Sequence, residues 1–392
     1  MRELIILRQG TANRQSKSWD PNQGYGEPSV AADSSAELLI ERTTPKDEVD
    51  LARDPDILVT APIMPVHLIH PKPPEGSASS GVEWAFAATG ADKSRFTGAG
   101  VTVAVLDTGI DASHPAFADV NLEVRNFTNS TDNDMNGHGT HCAGTIFGRD
   151  VGRRVGVARG VSKAFIGKVL EDGGSGGSDM LFRGIQWAIG SGANVISMSL
   201  GFDFPGMVRK LVEEDGWPTD LATSTALDAY RGNLRMFDAF MHLAAAGKAF
   251  GRDVLVVAAA GNESKRKLDP RYRISTSLPA AADGVISVAA LAQSEQGFVA
   301  ADFSNSHPVV SAPGVDIVSA WPGGGTRALS GTSMACPHVV GVAALWWQAI
   351  RDERRRPAAQ NVAAKLVGGA LVEGFAPNQE ETDFGQGLVQ AP

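Results

Sequence analysis

Val101-Thr102-Val103-Ala104-Val105-Leu106-Asp107-Thr108-Gly109 is a nearly unbroken apolar run that ends in an acid, a hydroxyl and a glycine. A strand with one wet face alternates apolar and polar residues. This one does not, so it predicts a strand buried on both faces, as in a parallel sheet covered by helices. Ala164–Leu170, Asn194–Leu200, Val254–Ala260 and Val285–Leu291 repeat the pattern. Helix-like segments, among them His138–Phe147 and Asp179–Ile189, lie between them. Strand–helix alternation implies an α/β fold with a mostly parallel sheet flanked by helices. In such sheets, sites form where strand ends meet helix starts. Asp107 sits at the end of the first strand, and His138 opens a helix.

A second helix start is Gly331-Thr332-Ser333-Met334-Ala335-Cys336-Pro337-His338, which leads into the apolar run Val339–Ile350. A serine there has free backbone N–H groups beside it and the positive end of the helix dipole behind it. The same residue type is also a common N-cap. Leu227, Tyr230, Leu234, Phe237, Met241 and Ala244 are spaced three and four apart, which predicts one apolar face of a long helix packed on the sheet. Pro357–Leu366, with proline at its start, predicts a last covering helix.

Upstream, Leu4–Leu7, Glu37–Glu41, Ile57–Thr60 and Val66–Ile69 are short strand candidates, and the polar stretch between the first two has no period. Pro71–Ser80 has the composition of a linker. The expected organisation is a small α+β N-terminal unit over residues 1–71, a linker over 72–80 and one large domain over 81–392. The 392 residues carry a formal net charge of -9, which disfavours a nucleic-acid partner. Two cysteines exclude a disulfide scaffold, and no apolar run reaches membrane-spanning length. Met1–Arg8 has too few apolar residues for a secretory leader. A cytoplasmic location is expected if the chain is complete, and a secreted one if a leader was removed.

Asp107-Thr108-Gly109, Asn136-Gly137-His138-Gly139-Thr140-His141-Cys142 and the serine stretch together supply a carboxylate, an imidazole and a hydroxyl, the parts nucleophilic acyl transfer needs. In their Asp–His–Ser order they resemble the subtilases, the subtilisin-like serine peptidases. The resemblance runs from about Gly98 to Gln390 and implies the three-layer subtilisin-like fold. It also implies a serine endopeptidase with catalytic Asp107, His138 and Ser333, and with Asn262 of Val256–Asn262 as oxyanion donor. Ser199, Leu200 and Gly201 would pair with an extended polypeptide substrate, with Gly176 on the opposite strand. Ala260, Gly261 and Ser277 would line an apolar pocket, with Glu263 at its rim. Phe204–Thr225 is extra relative to the family core and lies beside the expected cleft.

The N-terminal unit has the position and size of a subtilase propeptide, so a self-processing zymogen is expected. Its own N-terminal unit would occupy the cleft, with cleavage within Pro71–Ser80. A permanent accessory domain is the alternative there. For the whole chain the alternatives are a peptide-binding pseudoprotease and a dedicated processing protease for one precursor. No cofactor is required for this chemistry. His138-x-x-His141-Cys142 lacks the glutamate of a zinc-peptidase motif, so no catalytic metal is expected. Structural calcium is not favoured: Asp150 offers one ligand, but Arg149, Arg153 and Arg154 crowd it, and Ala116 stands where a second carboxylate would help. Cys142 and Cys336 are expected as buried free thiols, with a redox-switch disulfide as the alternative.

Overall fold

The computed structural model describes residues 2–9, 36–73, 83–246 and 253–392. The polar stretch at 10–35, most of the linker and the first residues of the large domain lie outside the described residues.

The large domain is built on one sheet. Its strands are β5 (Thr102–Asp107), β6 (Asn121–Asn126), β7 (Lys163–Lys168), β9 (Val195–Met198), β11 (Leu255–Ala259), β12 (Val285–Ser294), β13 (Gly297–Ala300) and β14 (Val310–Pro313). Their order is β13-β12-β11-β9-β5-β7-β6, with β14 also paired to β12. Every pairing is parallel except β12 with β13. Helix α3 (His138–Phe147), α7 (Thr332–Asp352) and α8 (Ala359–Gly368) cover one face, and α4 (Ser178–Gly190) and α6 (Thr219–Ala246) cover the other. Side chains on β5 alternate between the two cores: Val103 and Val105 join the α3/α7 cluster, and Ala104 and Leu106 join the α4/α6 cluster. That is why the strand reads as continuously apolar. The short α2 (Glu83–Ala88), α5 (Phe204–Arg209) and α9 (Glu381–Phe384), the hairpin β15 (Ile317–Trp321) with β16 (Gly325–Leu329), and a π turn at Lys210–Glu214 complete the domain.

The N-terminal unit holds β1 (Arg2–Arg8), β2 (Glu37–Thr43), α1 (Pro45–Leu51) and β3 (Ile57–Pro62), in the sheet order β2-β1-β3. A capping box opens α1: Thr44 accepts from the Asp47 amide and Asp47 reaches back to the Thr44 amide. The unit packs against α6, where the Asn233 amide donates to the Pro62 and Ala229 carbonyls.

Three expectations change in detail. The buried stripe of α6 runs through Ala222, Ala226, Ala229, Met236, Phe237, Phe240 and Ala244, and Leu227 is 39% exposed. Small residues on this helix let it approach the N-terminal unit closely, so the buried face is rotated from the one the large side chains suggest. Phe204–Thr225 is α5, the π turn, a short connection and the first two turns of α6, and it abuts the N-terminal segment: the Asp203 amide, just before α5, donates to the Pro65 carbonyl. Third, the strand expected near Val66–Ile69 is β4 (Pro65–Leu68), and it leaves the N-terminal sheet. It pairs antiparallel with β8 (Ser175–Gly177) on one side and β10 (Leu200–Phe202) on the other.

Candidate active site

Asp107 ends β5 and His138 begins α3. The two meet because the turn after β5 packs directly on the helix start: a Cβ on Gly139 would sit 2.2 Å from the Gly109 carbonyl oxygen, so only glycine allows the approach. His138 Nδ1–H donates to Asp107 Oδ1 at 2.8 Å, and both side chains are buried. The other acceptor bond of Asp107 Oδ1 is from the Thr108 amide at 2.7 Å.

Two buried groups lock this junction. Asp134 accepts from Thr108 Oγ1, from the amides of Asn136, Gly137 and Thr140, and from Thr140 Oγ1. One carboxylate therefore ties the Asp107 turn to the first turn of α3. Lys168, fully buried at the end of β7, donates to the carbonyls of Thr108 and Asn133 and to Asp172 Oδ1. That ammonium holds the Asp172 carboxyl below its usual range.

Ser333 lies in the first turn of α7. Pro337, four residues on, has no N–H to give to the Ser333 carbonyl. Ser199 Oγ and Cys142 Sγ donate to that carbonyl instead, at 3.3 and 3.4 Å. Cys336 Sγ faces Ser197 and the Met198 carbonyl. Both cysteines are free and buried, and burial raises the Cys142 thiol well above its ordinary value and Cys336 to about 12.

Asn262 follows β11 across Gly261. Its Oδ1 accepts from the Thr332 amide and from Thr332 Oγ1, both at 2.9 Å, which fixes the direction of the amide. Its Nδ2 donates into the groove, to the carbonyl of His70 at 3.1 Å. A Cβ on Gly331 would lie 2.9 Å from that nitrogen, so glycine is required before Thr332. Asn305 braces the same loop, donating to the Ala260 carbonyl and to Glu263 Oε2. Glu263, expected at the pocket rim, accepts this bond at Oε2.

Residues 65–70 run between β8 and β10 and reach Asn262 and Ser333. Gly201 pairs with His67, Leu200 with Leu68, and Gly176 with Val66. Val66, Leu68 and Ile69 are buried, and His70 is exposed. The Ile69 side chain approaches Gly201, where Ser277 Oγ also lies: a Cβ on Gly201 would be 3.6 Å from each. Ala260 and Gly261 are buried beside the Asn262 loop. Ser333 Oγ donates to the Ile69 carbonyl at 3.3 Å, and His138 Nε2 is buried with no partner among the described residues.

The chain belongs to the subtilase family. A model of that family matches residues 98–387. Among similar proteins, "Subtilisin-like protease 6" of Trichophyton verrucosum is 35% identical over 321 residues, 79% of this chain and 66% of that protein. "Intracellular serine protease" of Paenibacillus polymyxa is 36% identical over 302 residues, 74% of this chain and 79% of that protein. "Cuticle-degrading serine protease" of Arthrobotrys oligospora is 36% identical over 261 residues, 64% of this chain and 52% of that protein.

Other members of the sequence motifs are structural in this subtilase. His141 Nε2 lies 3.0 Å from the carbonyls of Ile317 and Arg327, and burial lowers its pKa to about 3. His338 Nδ1–H donates to the Met334 carbonyl, and burial lowers its pKa to about 4. Asp107, His138 and Cys142 lie within 4.8 Å of one another, but the imidazole nitrogen they share is occupied by the Asp107 bond. Sequence reasoning missed Asp134, Lys168 and Thr332. Their partners are mostly backbone groups and turns, which no motif displays. Among the described residues no helix is long and apolar enough to cross a membrane.

Proposed function

We propose that this subtilase is a serine endopeptidase that hydrolyses peptide bonds with Asp107, His138 and Ser333, and that it is made as a zymogen blocked by its own residues 65–70. The observation that carries the reading is the buried Asp107–His138 pair, 2.8 Å apart, at a groove that already accepts an extended polypeptide by strand pairing on both sides. In the reaction, His138 takes the Ser333 proton as Oγ attacks the substrate carbonyl, then gives it to the leaving amine. Asp107 holds the imidazole with Nδ1 protonated and stabilises its cationic form. Asn262 Nδ2, held by Thr332, donates to the oxyanion. The catalysis requires no cofactor, and the substrates are polypeptides with an apolar residue in the Gly201–Ser277 pocket.

In the zymogen, the register is wrong for cleavage. Ser333 Oγ donates to the Ile69 carbonyl, yet Asn262 donates to the next one, of His70. The bond Ile69–His70 therefore sits at the nucleophile without its oxyanion donor. Once the segment shifts so that the Ile69 carbonyl takes the Asn262 amide, the cut falls there, one bond before the Pro71–Ser80 stretch. The same shift frees Ser333 Oγ from the Ile69 carbonyl to turn to His138 Nε2, which takes its proton as Oγ attacks.

The test is intact mass after exposure to a fluorophosphonate probe, for the parent chain and for Ser333→Ala. The expected result is a parent fragment beginning at His70 that carries one adduct, with the variant unchanged. An adduct on the uncut parent sinks the zymogen reading and keeps the endopeptidase. No adduct on either fragment or full-length chain sinks both and leaves a peptide-binding pseudoprotease.

A further inference from the structure

Subtilases often hold calcium in the loop after the histidine helix, and the residues present here do not fit such a site. Calcium takes about six to eight oxygen ligands. The loop 148–161 contains one acid, Asp150, and its carboxylate is paired with Arg159 at 2.7 Å. The carbonyls that converge in the loop converge on a guanidinium instead. Arg149 Nη1 donates to the carbonyls of Phe147 and Arg159 at 3.1 and 2.5 Å, and Nη2 donates to that of Val161 at 3.0 Å. A second arginine repeats the device: Arg154 donates to the carbonyls of Gly156, Ala91 and Val157, with its guanidinium 4.4 Å from the Phe86 ring centre.

We propose that the Arg149 guanidinium occupies the position of a structural cation, so that this loop is held without metal. The chemistry matches. A planar guanidinium carries five fixed donors and a charge that persists at any working pH, so it gathers several carbonyls at once. Its site is the C-terminal end of α3, where the last carbonyls of a helix are unpaired and carry the negative end of the dipole. Phe147, the last residue of α3, is one of the three acceptors. The loop then runs back along the same helix, with the Val157 and Ala158 amides donating to the carbonyls of Thr145 and Ile146. Arg149 thus anchors the far end of the helix whose first residue is His138. The inference is independent of the proteolytic reading.

The experiment uses the full chain carrying Ser333→Ala, to prevent self-cutting, with and without Arg149→Lys or Arg149→Ala. Hydrogen exchange over residues 144–161 and the melting temperature are measured in EDTA and in millimolar calcium. The expected result is identical exchange in both buffers for the Arg149 chain. Arg149→Ala is expected to exchange roughly tenfold faster or more over this loop and to melt roughly 5–10 °C lower, because three carbonyls lose their donors. Arg149→Lys should fall between the two. Faster loop exchange of the Arg149 chain in EDTA overturns the proposal, as does unchanged exchange on removing the guanidinium. If Arg149→Ala does not fold, the buffer comparison and Arg149→Lys decide it.

Discussion

Asn262 shows how one amide is made directional. Its oxygen is fixed by two donors of Thr332, and its nitrogen is therefore left to point into the groove. Asn262→Ala removes the donor and leaves the triad, so kcat on a peptide is expected to fall by about 10²–10³ with KM little changed. Turnover at the parent rate, measured on active-site-titrated enzyme, would remove Asn262 from the mechanism. Thr332→Val keeps the backbone donor and loses the hydroxyl, so a smaller fall of kcat in the same direction is expected. Asp107, His138, Ser333 and Asn262 stand out in the sequence because each is a chemistry-bearing side chain flanked by glycines, and the structure brings Asp107 to His138 and Asn262 to Thr332 beside Ser333. Asp134 was not. Three of its five donors are backbone amides, and an isolated aspartate in a polar loop looks the same whether it binds them or water.

At the scale of elements, the central strands and α3, α4 and α7 were readable because burial on both faces leaves an apolar run that no loop sustains. β15 and β16 were not: the hairpin is short, and β16 (Gly-Thr-Arg-Ala-Leu) is largely exposed. The role of β4 was hidden for a different reason. Val66-His67-Leu68-Ile69 reads as a strand wherever it pairs, and its partners β8 and β10 are distant in sequence. Ile69, just after β4, is buried beside Gly201, where Ser277 Oγ also lies. Ile69→Asp forfeits an apolar burial worth about 1.5–3 kcal/mol and places a carboxylate without a partner there. The full-length chain is therefore expected to react with a fluorophosphonate at least roughly ten times faster than the parent before any cutting. An unchanged labelling rate would mean that β4 is not what blocks the site.

For the molecule as a whole, two buried imidazoles are expected to make stability fall in acid. His141 and His338 are buried neutral, with pKa values lowered by burial to about 3 and about 4. In the unfolded chain each has the ordinary value near 6.5, so from about pH 6.5 downward the unfolded state takes up protons that the folded state refuses. A depressed histidine pKa therefore favours the fold above pH 6.5 and penalises it progressively as pH falls toward 4. While both groups are protonated only when unfolded, the slope approaches about 2.7 kcal/mol per pH unit, two protons' worth. Chemical denaturation of the Ser333→Ala chain from pH 8 to pH 4.5 is expected to show a plateau above neutrality and a steep decline below about pH 6. His338→Asn keeps a short polar group near the Met334 carbonyl and removes one titrating site, so it should reduce the slope by about half between pH 6 and 5. An identical slope in the variant would assign the acid sensitivity to other groups. The fold tolerates both rings because each finds backbone carbonyls, Ile317 and Arg327 for one and Met334 for the other, that accept from a neutral imidazole.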